Sequence, residues 1–200
     1  EFKIDASYLS PHVNMASRLE AVTKQYQVMI LMSEPLVQLC SPDMRHYFRT
    51  IDHVTLKGGM TIPMKVHTVD LNSESLRTDY STVQKKGKNQ FELRMQREKA
   101  KEEKMNPSFE VHTLFDKDPD LKTMRRELPA RFFQLFSKGY LNYEAGEWDV
   151  ARDVFETSRT MLPWIDGPSK ALLDFMAQFD YDASKVSLKG WPGFRELTET

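Results

Sequence analysis

Residues 13–20 read Val13-Asn14-Met15-Ala16-Ser17-Arg18-Leu19-Glu20. On a helix, Asn14 and Arg18 stand four positions apart and lie one above the other on a single face. The Asn side chain offers an amide suited to a sugar hydroxyl, and the Arg offers a fixed fork of donors suited to a phosphate. Val13, Met15-Ala16 and Leu19 are placed to bury the other side. Spacing alone favours the plainer reading, an ordinary amphipathic helix with a surface Arg.

The residues just before this octapeptide, Asp5-Ala6-Ser7-Tyr8-Leu9-Ser10-Pro11-His12, read as a short strand (Phe2–Leu9) and a tight polar turn. Strand, turn and V-N-x-A-S-R-L-E together resemble the nucleotide-binding segment of the class III adenylyl and guanylyl cyclases. That family usually has a Gly-Asp or Gly-Asn turn where this chain has Ser10-Pro11-His12, a rigid Pro and a bulky His. The resemblance resumes at Leu56-Lys57-Gly58-Gly59, which looks like the family's V-K-G loop, and spans Glu1 to Leu71.

Several roles follow from the resemblance. Asn14 matches the residue that orients the ribose, and Arg18 the one that stabilises charge on the reacting phosphate. Lys57 matches the residue that holds the terminal phosphates, and Ser7 lies where the family touches the base edge. A hydroxyl at Ser7 leans the choice toward ATP over GTP. The implied reaction is attack of a nucleoside triphosphate's 3′-hydroxyl on its own α-phosphate with loss of pyrophosphate, a matter of positioning and charge stabilisation. The family uses Mg²⁺ held by two Asp on earlier strands, expected upstream of Glu1; Asp5 is not one of them. Asp52, Asp70 and the five His show no metal-ligand spacing and read as surface or strand positions. Family sites form between two cyclase domains, so a second such domain is an implied partner. The 200 residues alone are therefore not expected to be active.

Composition bounds the alternatives. Hydrophobic content of 40% and charge of 28% describe a globular chain, and 28 basic against 29 acidic residues leave a net charge of −1. No bulk field draws such a chain to nucleic acid or anionic lipid. The single Cys40 excludes an internal disulfide framework and suits an intracellular setting. No apolar run is long enough to cross a bilayer. Opening on Glu1 rather than Met reads as a piece of a larger protein, with any membrane or ciliary anchorage lying elsewhere.

The elements expected downstream are a helix over Val13–Gln27, a buried strand at Val28-Met29-Ile30-Leu31-Met32, and a short helix from Ser33 through Leu39. Tyr47–Leu56 and Met64–Leu71 then alternate as paired strands. Residues 72–128 form a charged stretch, with a solvent-facing helix or a linker over Gln90–Lys104 and a short, partly irregular bridge from Pro107 to Pro129. After Pro129 a helical period returns at Phe132, Phe133, Leu135, Phe136 and Tyr140. Gly146 breaks it, and Trp148, Val150, Ala151, Val154, Phe155 and Leu162 begin a second helix. The pair resembles one tetratricopeptide repeat, with Gly139, Ala151, Phe155 and Pro163 at the repeat's offsets.

Asp166-Gly167-Pro168-Ser169 starts a third helix, and the stretch from Tyr143 to Gly190-Trp191-Pro192-Gly193-Phe194 is similar to the helical extension of many protist and bacterial cyclases. The expected fold is α+β: a partial cyclase-type ferredoxin-like sandwich over 1–71, then an all-α module over 129–200. Phe132, Tyr140 and Trp148 are candidates for exposed apolar surface on that hairpin, to be covered by the third helix or by another chain, a protein partner. The rival functional class is a degenerate cyclase homologue acting as a structural or regulatory subunit.

Overall fold

The computed structural model describes residues 10–56, 60–76 and 89–197; Phe2–Leu9 and the Lys57-Gly58-Gly59 loop lie outside them. The protein is α+β. In chain order the described elements are α1 (Pro11–Tyr26), β1 (Met32–Ser33), α2 (Glu34–Leu39), α3 (Pro42–Arg45), β2 (Phe48–Leu56), β3 (Met60–Val69), α4 (Gln90–Lys104), α5 (Leu114–Lys117), α6 (Pro119–Arg125), α7 (Ala130–Ala145), α8 (Trp148–Arg159), α9 (Gly167–Ala177) and β4 (Arg195–Leu197). The sheet runs β1-β3-β2-β4, with β1 and β2 antiparallel to β3 and β4 parallel to β2.

Local chemistry sets the helix ends. Ser10 caps α1, its Oγ accepting from Val13 N at 3.2 Å, and Pro11 opens the first turn, where its missing N–H costs nothing. Gln27 closes α1 in the left-handed region at φ 52°. Gly146, at φ 84°, ends α7 after an inward stripe of Phe132, Phe136, Gly139, Tyr140 and Tyr143. Asp166 caps α9, accepting from the Ser169 N–H at 2.9 Å and its hydroxyl at 2.6 Å.

Two compact units result. The described residues of Glu1–Asp70 and Glu127–Thr200 form one, and those of Leu71–Arg126 the other. In the first, Leu19, Val22 and Tyr26 of α1 share a core with Ile51, Val54 and Leu56 of β2, with Phe136, Tyr140 and Tyr143 of α7, and with Trp148 and Phe155 of α8. Each large apolar side chain buried there contributes about 1.5–3 kcal/mol. The second unit has no buried side chain among its described residues. Its contacts include Asn72 N to Met124 O at 3.0 Å, which joins its two ends, and Arg125 over the Phe115 ring at 5.4 Å.

Four expectations are corrected. The strand-bearing region before Leu71 and the helices after Pro129 are not separate units, because they fill one core. Phe132, Tyr140 and Trp148, candidates for an exposed surface, are all buried, and the third helix shares the core with Tyr140 and Trp148. The apolar run Val28–Met32 is not a buried strand: Met29 is 61% exposed, and only Met32 and Ser33 pair with β3. On α1, Leu19 is buried, but Val13 and Ala16 face solvent.

Candidate functional site

Asn14 and Arg18 lie a turn apart on α1, Asn14 exposed and Arg18 half-buried with an interaction inside the protein. Ser10-Pro11-His12 supplies the cap and first turn of this helix. Lys57 falls in the connection between β2 and β3, and both it and Ser7 lie outside the described residues.

Behind α1 is an ionic framework that the sequence does not announce. β2 alternates inward and outward until Ile51-Asp52, where both residues are buried. The register slips there, Thr50 pairing with His67 and Asp52 with Val66, so Ile51 is the extra residue of a bulge. The bulge lets both Arg49 and Asp52 reach the helical layer. Arg49 Nε and Nη2 donate to Asp70 at 2.9 and 2.6 Å, while Nη1 and Nη2 donate to Asp166 at 3.1 and 2.9 Å. Its guanidinium also lies 4.3 Å from the Phe136 ring centre. Burial opposes the charge, but Asp166 and Asp70 more than offset it and hold the Arg49 pKa above its ordinary value.

Asp52, fully buried, accepts from the Tyr26 hydroxyl at 2.6 Å and from Arg195 Nε at 2.6 Å. Burial and then the Asp52 charge push the Tyr26 pKa well above the usual phenol value. The Tyr143 hydroxyl, raised for the same two reasons, makes no hydrogen bond to any described residue. On β3, His67 contacts Glu34 through Nε2 and Thr50 Oγ1 through Nδ1 at 3.1 Å. Burial lowers the His67 pKa despite Glu34, so the neutral ring donates from Nε2 to a Glu34 carboxylate whose own pKa is lowered. That lowering runs against the effect of burial on Glu34 and comes from its bonds to Gln38 and His67.

No three His, Cys, Asp or Glu among the described residues converge as a metal-binding group. Asp52 and Asp70 are engaged by Arg195 and Arg49, so these two carboxylates do not fit the role of Mg²⁺ ligands. An open groove of about 770 Å³ lies at Gly146–Val150 and Asp180–Ser184, and no α1 residue lines it. No helix among the described residues is long and apolar enough to cross a membrane. No known protein family, curated protein or solved structure matches the chain.

Proposed function

We propose that the chain is part of a class III-type nucleotide cyclase that converts a nucleoside triphosphate, ATP in preference to GTP, to the cyclic nucleotide and pyrophosphate for intracellular signalling. The observation that carries the reading is Asn14 and Arg18 stacked on the outward half of α1, upstream of a β2–β3 connection that carries Lys57. An amide for the ribose, a guanidinium for the reacting phosphate and an ammonium for the terminal phosphates make a coherent triphosphate set. Ser7 would touch the base. Mg²⁺ belongs to the reading as a cofactor held by residues upstream of Glu1, and a second cyclase domain as the partner that completes the site. Under the same reading α7 and α8 are the tetratricopeptide-like part of the helical extension.

The experiment is steady-state assay of the full-length protein with Mg²⁺ and either ATP or GTP. Cyclic AMP should dominate, and Arg18→Ala should lower kcat by about 10²–10³-fold with little change in KM, the loss typical of one transition-state donor. Predominant cyclic GMP reverses the nucleotide preference, and a change in KM alone assigns Arg18 to ground-state binding. Absence of any cyclic product leaves the rival reading, a structural or regulatory subunit.

A further inference from the structure

The half of α1 that carries Asn14 and Arg18 meets the core through partly buried Met15, and half-buried Arg18 has an interaction of its own. Val13, Asn14, Ala16 and Ser17 are exposed, and the first buried side chain is Leu19. The fully buried side chains that anchor the helix lie in its other half, Leu19, Val22 and Tyr26 at helical spacing. Leu19 and Val22 make non-directional apolar contacts. Tyr26 is held by directional ones: its hydroxyl donates to Asp52 at 2.6 Å and accepts from Arg195 Nη2 at 3.2 Å. Arg195 also donates to the same Asp52 oxygen and lies 4.8 Å from the Phe175 ring centre. At the same turn the start of α9 presses on α1 so closely that a Cβ on Gly167 would sit 2.0 Å from the Tyr26 carbonyl oxygen.

We infer that Tyr26 and Arg195 are positioning residues for Asn14 and Arg18: the Asp52–Tyr26–Arg195 clamp, closed by the C-terminal strand, fixes the rotation of α1 and hence where both side chains meet the nucleotide. The inference rests on the nucleotide reading of Asn14 and Arg18. Side-chain heads stand roughly 5–6 Å from a helix axis, so a turn of about 10° moves them by about 1 Å. A displacement of that size at a reacting group costs on the order of 10²-fold in rate. Arg195 comes from β4, which pairs with Val54–Leu56. A partner that peeled β4 from β2 would retune α1 without touching the nucleotide site.

Two measurements on the full-length protein test the clamp. Tyr26→Phe keeps the ring and removes the hydroxyl, and Arg195→Lys keeps the charge and loses the fork. Phe155→Leu, in α8, serves as a reference matched for loss of melting temperature. Hydrogen exchange over residues 12–20 should be about 5-fold faster in Tyr26→Phe and Arg195→Lys than in the reference. Equal exchange in all three overturns the inference. In the cyclase assay Tyr26→Phe should lower kcat about 10-fold with KM nearly unchanged, and should add little on top of Arg18→Ala. Full multiplication of the two losses, or a change in KM alone, overturns it. If the wild-type protein makes no cyclic nucleotide, the nucleotide reading falls, and the exchange measurement still decides whether the clamp fixes α1.

Discussion

Arg49 sits at 5% exposure between two carboxylates and two aromatic rings, in a position where a lone cation would be strongly disfavoured. It is tolerable because Asp70 and Asp166 each meet it with two bonds, and because Asp166 also satisfies the first turn of α9. Arg49→Met would fit the space but take the cation away from both carboxylates, Asp166 buried and Asp70 partly so. We expect it to destabilise by about 3–5 kcal/mol, read as a shift in the urea midpoint. A loss under 1 kcal/mol would mean that water reaches the pair. His67 gives a pH signature. Its folded pKa lies below the ordinary imidazole value, so the unfolded chain binds the proton more readily. The stability tied to neutral His67 is complete above the ordinary value and is lost as pH falls from there through the lowered folded value. Urea unfolding between pH 8 and pH 5 should show this decline, and His67→Gln should flatten it. A decline that persists unchanged in the variant assigns the effect to other groups.

At Gly139, α7 and α8 approach closely. A Cβ there would lie 2.8 Å from the Phe155 ring and 3.2 Å from Val154. Gly139→Ala raises intrinsic helix propensity, yet overpacking should dominate and destabilise by about 1–3 kcal/mol; a stabilised variant would show that Phe155 has room to move. This contact was partly legible, because Gly139 and Phe155 both fall at the offsets of the repeat-like pair, while nothing local marks Val154 as its other neighbour. So were the bounds of α4 at Gln90–Lys104, where charges surround few apolar anchors, and the start of α7 after Pro129. The stretch Val28–Met32 was not. Five consecutive apolar residues carry no period, and nothing local says that β3 offers pairing only to Met32 and Ser33. The bulge that turns Asp52 inward was equally hidden, since one extra residue in β2 reverses the phase of the alternation. For the candidate site, Asn14 and Arg18 were legible as a helical pair, whereas their support, Asp52 with Arg195, joins residues 143 positions apart.

At the scale of the whole molecule, the same long-range ties decide what the chain does when it is cut. The charged stretch after Leu71 suggested a linker between independent units, a reading built from local composition. Composition does not record that β4 pairs with β2, that Asp166 meets Arg49, or that Trp191 joins the ring cluster of Tyr143, Trp148 and Phe175 while donating to Glu144 O at 3.1 Å. Each tie joins the N-terminal strand-bearing half to the C-terminal helices or anchors the tail that does so. α4, by contrast, is exposed at every residue and rich in Lys and Arg. Brief trypsin treatment should therefore cut first within Gln90–Lys104. The two pieces should stay together on gel filtration and part only in denaturant, because the cut lies outside the core they share. A C-terminal fragment that elutes alone and remains helical would restore the picture of two independent units.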